Sequence, residues 1–311
     1  MRWPAPLFVI GAPRSGTSLL YKSLCLHPTA AWISNWVGRY PSRPRLAALN
    51  RAARHLPGAR RRVWFGADGA NAYVYGKPRP ALERVFPMPI EGERVFNHCG
   101  IALPGPGSPP GGSPARNASG ERSRAVDCLR ASFRTLTRWS GGRVLVCKRI
   151  ANNQRIPLLA EAFPEARFVH LIRDGRAVAY SLSRVDWWDR DVVWWYGDTP
   201  VRWREAGNDP WELCAEHWNR ELASIGEGLA AVPAGQRLEV RYSELIADPI
   251  PGIERIAAFG GLGLDAGWHA ELTRLSYPNK DESWRKHLDD EARARVEKIQ
   301  ADTLRRLGLL E

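Results

Sequence analysis

Residues 7–18 read LFVIGAPRSGTS, and this short stretch decides the fold. Leu7, Phe8, Val9 and Ile10 form an apolar run of strand length that stops at Gly11. A run that is apolar at every position, rather than alternating, suits a strand covered on both faces. A helical pattern starts at Ser15 and runs towards His27, with Leu20 and Leu24 on one face. A tight loop between strand and helix turns its backbone N–H groups inward, at the positive end of the helix dipole. Ser15, Thr17 and Ser18 add hydroxyl donors, Arg14 adds a cation, and Gly16 lets the backbone approach a ligand closely. The nest suits a tetrahedral oxyanion such as phosphate or sulfate.

Working outward, three more segments read as strands. Val144-Leu145-Val146-Cys147 ends at Lys148, Phe168 to Ile172 ends at Arg173, and Leu238-Glu239-Val240 ends at Arg241-Tyr242. Helical patterns follow at about 153–163 and 176–184. Strand followed by helix, repeated, predicts an α/β fold: a P-loop-like parallel sheet flanked by helices on both faces. The spacing of the first loop matches the P-loop of nucleotide-triphosphate enzymes, except that Thr17 stands before Ser18 where those loops carry lysine.

The third strand opens a second motif, RDGRAVAYSLSR, residues 173–184. Arg173 falls at the carboxyl edge of the sheet, where ligands of open α/β sheets bind. Ser181 lies eight residues on, about two turns along the next helix. Two anion sites on one sheet edge suit a ligand with phosphate-like groups at two ends. The competing reading pairs Arg173 with Asp174 and leaves Ser181 a plain helix residue.

Composition bounds the rest. The chain has 311 residues, 44 % hydrophobic and 25 % charged, which excludes wholesale disorder and accommodates one large domain, taken as 1–311. The net charge of +12 comes almost wholly from arginine, since lysine occurs six times. Charge of that kind does not by itself imply nucleic acid, and no nucleic-acid partner is expected. No apolar run is long enough for a membrane span. The strand pattern beginning at Leu7 leaves no room for a cleavable leader, so a cytoplasmic protein is expected. The five cysteines are scattered without a CxxC pair, and they read as inert thiols with no metal site. Thirteen of the seventeen residues from Pro104 to Gly120 are Gly, Pro or Ser, so 104–124 reads as a mobile surface loop. Seven of the fourteen tryptophans fall between Trp187 and Trp218, and 185–215 reads as a lid over an acceptor site. At the C-terminus Leu288, Ala292, Val296, Ile299 and Leu307 mark an amphipathic helix.

The two anion motifs, in this order, resemble the sulfotransferases that use 3′-phosphoadenosine 5′-phosphosulfate (PAPS). The resemblance extends through CKRIANNQRIPLLAEAFPEARFVHLIRDGR, which is similar to tyrosylprotein and bacterial small-molecule sulfotransferases, and through RYSELIADP near the C-terminus. It is weak between about 34 and 125. It implies that Arg14, Ser15, Gly16, Thr17 and Ser18 hold the 5′-phosphosulfate and that Arg173 and Ser181 hold the 3′-phosphate. It also implies that Tyr242 sits near the purine, that Lys148 assists the transferred group, and that Lys280 belongs to a late loop closing over the cofactor. Trp218 and Asn152 are further candidates for the site lining. The implied reaction is sulfuryl transfer to a hydroxyl of a small-molecule or glycoconjugate acceptor, without a metal.

The acceptor hydroxyl needs a proton acceptor within hydrogen-bond reach. The segment after the first helix, HPTAAWISNWVGRYPS, contains no carboxylate. MPIEGERVFNHCG offers Glu91, Glu93 and His98, with Glu91 favoured by the Pro89-Ile90-Glu91 element found in related enzymes. The rival function is a P-loop kinase or NTPase with a degenerate loop and Asp174 as its metal-binding carboxylate.

Overall fold

The computed structural model describes residues 5–66, 84–105 and 119–310. Five parallel strands form one sheet in the order β2-β3-β1-β4-β5. They are β1 (Leu7–Ile10), β2 (Ala30–Ala31), β3 (Val144–Lys148), β4 (Arg167–Ile172) and β5 (Arg237–Arg241). The strands expected from sequence are present. Edge strand β2 was not anticipated, because two alanines carry no pattern. β1 lies at the centre, with Leu7 paired to Val146 of β3 on one side and to Arg167 of β4 on the other.

Side chains alternate across the sheet with period two, so each strand feeds two cores. Leu7, Val9, Val146, Val169 and Leu171 face a layer holding α1 (Thr17–Cys25). Phe8, Ile10, Leu145 and Phe168 face the opposite layer, built from α2 (Ser119–Ser140), α3 (Ile156–Ala162) and α5 (Pro210–Ala230). There Phe8 stacks on Phe168 with ring centroids 5.3 Å apart. β4 leads directly into α4 (Gly175–Leu182), whose N-cap is Asp174. The helix Pro249–Phe259, α6, adds Ile253 and Ile256 to the first layer. The C-terminal helix α7 (Asp290–Arg306) buries Ala292 and Val296 as expected, together with Leu304, whereas Ile299 and Leu307 are only half-buried.

Four expectations change. The helix predicted over 153–163 is a 3₁₀ turn, Ile150–Gln154, followed by α3; the break turns the side chains of Asn153 and Gln154 inward, where both are buried. Of the loop predicted over 104–124, residues 106–118 lie outside the described residues, while 119–124 already belong to α2. Cys99 and Cys128 are joined in a disulfide rather than being separate thiols, because the end of the helix Glu93–His98 meets α2 with those Cα atoms 5.4 Å apart. Cys25, Cys147 and Cys214 are buried and free. Disulfides are rare in reducing compartments, so this cross-link bears directly on the compartment expected from sequence. Finally, most of the tryptophan-rich stretch packs as a cluster beside α5 and α7, formed by Trp187, Trp188, Trp195, Trp203 and Trp211 with Tyr196, and within the stretch Trp187, Trp188 and Trp194 also reach the cavity described next. Among the described residues no helix is long and apolar enough to cross a membrane.

Candidate active site

The carboxyl ends of β1, β3, β4 and β5 open into one cavity of about 1370 Å³. A drug-sized ligand fills a pocket of roughly 300–1,000 Å³, so this space has room for a ligand larger than that or for two small ones. Its lining is polar where the strands end and apolar towards Ile90, Leu103, Ile150 and Val192.

The loop after β1 is shaped by two residues with left-handed backbones. Arg14 has φ 69° and Gly16 has φ 89°. At Gly16 a Cβ would also lie 2.7 Å from the Tyr242 ring, closer than carbon atoms approach. Gly16→Ala therefore combines backbone strain with a clash. It is expected to cost about 1–3 kcal/mol or more, read as a lowered midpoint in thermal unfolding. An unchanged midpoint would show that this loop is not held in the conformation described.

The two anion motifs meet through Arg14. Its Nε donates to Ser181 Oγ at 3.0 Å, and its backbone carbonyl accepts from Arg173 Nη1 at 2.9 Å. Arg173 is 7 % exposed and further fixed by Asp281 (Nε to Oδ1, 3.0 Å) and by the Lys280 carbonyl (Nη2, 2.7 Å). Its guanidinium also lies over the Tyr242 ring, 4.5 Å from the centroid. Burial pushes the Asp281 carboxyl up, while Arg173 pulls it back down. Arg173 therefore does not pair with Asp174. That carboxylate caps α4 and grips Arg176, with Oδ2 2.7 Å from Nη2.

At the end of β3, the Lys148 ammonium is buried and donates to Glu91 Oε1. The other Glu91 oxygen accepts from the Ile150 N–H at 3.1 Å. Glu93 is committed elsewhere: both its oxygens receive Arg149, at 2.6 Å each. A third carboxylate, Glu221 on α5, is 0 % exposed and lines the cavity. Burial pushes it up to about 7, against the opposing pull of hydrogen bonds from Asn153, Gln154 and Trp194. Neighbouring His217 is held neutral, since burial drives it down to about 3.

Of the candidates named from sequence, Arg14, Gly16, Thr17, Ser18, Glu91, Lys148, Arg173, Ser181, Tyr242 and Lys280 all line this cavity. Ser15 is buried beside it and is not among the lining residues. His98 is exposed at the end of its short helix and does not line it. Asn152 and Trp218 are fully buried behind the wall, Asn152 with its amide towards Cys147 Sγ at 3.8 Å. Sequence reasoning missed Asp281, Asn153 and Glu221. Asp281 directly follows Lys280, so the late loop offered the only signal.

Similarity to known proteins follows the same outline. The sequence model of the sulfotransferase family matches residues 112–266. Over 291 residues the chain is 24 % identical to the omega-hydroxy-beta-dihydromenaquinone-9 sulfotransferase Stf3 of Mycobacterium tuberculosis, covering 83 % of this chain and 63 % of that protein. It is 34 % identical to carbohydrate sulfotransferase 5 of Mus musculus over 137 residues, 39 % of this chain and 32 % of that one. Among solved structures, sulfotransferase STF9 of Mycobacterium avium has a TM-score of 0.55 at 16 % identity, covering 98 % of this chain and 77 % of its own. STF1 of Mycobacterium tuberculosis gives 0.54 at 17 % identity, with 96 % and 76 % covered. These structural likenesses establish the fold alone.

Proposed function

We propose that this chain, whose residues 112–266 match the sequence model of the sulfotransferase family, transfers a sulfuryl group from PAPS to a hydroxyl of a small-molecule or glycoconjugate acceptor. The observation that carries this reading is the joining of the two anion motifs through Arg14, by its side chain to Ser181 and by its carbonyl to Arg173. A ligand with phosphate-like groups at two ends matches such a linked pair.

The residues present fit that cofactor. The buried Ser15 hydroxyl has no hydrogen-bond partner among the described residues, and the absence of a side chain at Gly16 lets the Tyr242 ring pack directly on the loop backbone. When bound, PAPS supplies the sulfuryl group. In this reading Arg14, Gly16, Thr17 and Ser18 hold the 5′ end, with Ser15 beneath them. Arg173 and Ser181 hold the 3′-phosphate, while Tyr242 and Lys280 flank the nucleoside. Lys148 stabilises the charge that grows on the leaving oxygen, an interaction stronger in the transition state than in the ground state. Glu91, within reach of Lys148, accepts the proton of the acceptor hydroxyl. The acceptor occupies the apolar end, between Ile90, Leu103 and the indoles of Trp187 and Trp194. The kinase alternative loses support, because its intended metal ligand Asp174 is spent on capping α4 and on Arg176.

Calorimetric titration with adenosine 3′,5′-bisphosphate, against adenosine 5′-monophosphate and ATP-Mg²⁺, tests the reading. Selective binding of the bisphosphate is expected. Preference for ATP-Mg²⁺, or no nucleotide binding, would overturn it.

A further inference from the structure

Glu221 is the most buried carboxylate facing the cavity, and its role in sulfuryl transfer is not that of an acid or base. Both its oxygens are spoken for. Oε2 accepts from Asn153 Nδ2 at 2.6 Å and from Gln154 Nε2 at 3.1 Å. Oε1 accepts from the Trp194 indole Nε1 at 2.8 Å, with His217 Nε2 a further 3.7 Å away. The His217 tautomer follows from its other nitrogen. Nδ1 accepts from Trp195 Nε1 at 3.2 Å, which leaves the proton on Nε2, towards Glu221.

Two features make this more than a satisfied core residue. Trp194 is part of the cavity wall, so one oxygen holds the surface that an acceptor would meet. Asn153, on the other oxygen, makes a reciprocal pair with the backbone of Gly11, the first residue of the anion loop. Its Nδ2 donates to the Gly11 carbonyl at 2.9 Å, and its Oδ1 accepts the Gly11 N–H at 3.2 Å. A continuous chain of hydrogen bonds therefore runs from loop backbone through Asn153 and Glu221 to the indole. In its ionised form, which prevails above about pH 7, Glu221 is the acceptor-only group that the centre of this chain requires, since every neighbour presents N–H.

We propose that Glu221 is a positioning residue that sets the Trp194 wall of the acceptor pocket in register with the anion loop, so that filling the loop is felt at the wall. This deepens the sulfotransferase reading and rests on it for the identity of the loop's ligand. Glutamine has the same shape but must turn an NH₂ towards either Trp194 or the Asn153–Gln154 pair. It therefore breaks the chain without emptying the space.

The test follows the indole N–H resonance of Trp194 by NMR, assigned as the signal missing from Trp194→Phe. In ligand-free Glu221→Gln this signal is expected to move upfield, with solvent exchange about tenfold faster, as suits loss of a charge-assisted hydrogen bond. Adding adenosine 3′,5′-bisphosphate should shift the Trp194 signal in the wild-type chain. It should leave the signal unmoved in Glu221→Gln, although calorimetry finds the nucleotide bound within about threefold of wild-type affinity, because the anion-holding side chains are untouched. Asn153→Ala cuts the chain at its other link and should uncouple nucleotide from indole at saturating ligand, with the ligand-free Trp194 signal close to wild type. It also serves if Glu221→Gln does not fold. An unchanged Trp194 signal in ligand-free Glu221→Gln overturns the proposal. So does a nucleotide response that persists in both variants. If the wild-type chain binds no bisphosphate, the cofactor reading falls, and the ligand-free signal alone decides whether Glu221 clamps the wall.

Discussion

Glu91→Gln should lower kcat by about 10²–10⁴-fold while leaving cofactor affinity near wild type, the range expected on losing a general base. Glutamine keeps the volume of the side chain and can still accept the Ile150 N–H through its carbonyl oxygen. What it loses is the capacity to take a proton, together with the charge opposite Lys148. The effect belongs in kcat, since Glu91 is not one of the groups proposed to hold the nucleotide. Turnover is read as adenosine 3′,5′-bisphosphate released from PAPS, with the best acceptor found by screening hydroxyl compounds. Glu93→Gln is the matched control. Its carboxylate is bound at both oxygens by Arg149, so loss of this residue should appear as lowered stability rather than slower chemistry. Retention of wild-type turnover in Glu91→Gln would move the proton acceptor elsewhere, with Asp191 on the same cavity wall the next candidate.

Arg173→Ala should weaken binding of adenosine 3′,5′-bisphosphate by about 10²–10³-fold. One charge-assisted hydrogen bond to a phosphate accounts for about tenfold to a hundredfold of that. The remainder comes from what Arg173 holds in place. Three of its N–H groups go to Asp281, the Lys280 carbonyl and the Arg14 carbonyl, and its face lies on Tyr242. Removing it leaves the Asp281 carboxyl without its cation and frees both loops that border the site. Asp281, already pushed up by burial, would then rise further and turn neutral more readily. Arg173→Lys should recover little, because an ammonium cannot reach three fixed acceptors in one plane or stack on the ring. Affinity within about threefold of wild type in Arg173→Ala would remove Arg173 from the binding site, being less than one such bond is worth.

What could be read from the sequence follows a physical division. The three central strands were legible because each is an apolar run that ends on a chemically distinctive residue: Gly11, Lys148 or Arg173. The anion loop was legible because its parts are contiguous. Residues whose meaning depends on a distant partner were not. Asp281 lies more than a hundred positions from Arg173, and Glu221 follows the polar pair Asn219-Arg220, with nothing next to it in the sequence to mark it as buried. Only the packing of α5 against the 3₁₀ turn Ile150–Gln154 shows Glu221 turned inward, while Arg220 beside it is exposed. His98 failed for a related reason. It lies close in sequence to Glu91, but the phase of its short helix carries it outward. The disulfide was missed because two cysteines 29 positions apart give no local sign of meeting.

Arg14 serves both anion motifs at once, which makes the cradle behave as a chelator rather than as two independent sites. A nucleotide with one phosphate engages half of it and gains nothing from the other half having been set in place. A bisphosphate gains from both, and for the same reason cannot leave by stages, since releasing one end does not free the other. In the proposed reaction the spent cofactor shares those two phosphates with the fresh one. On the proposed reading, the contact that selects the ligand would also set how long the product stays, and turnover would be paced by departure as much as by chemistry.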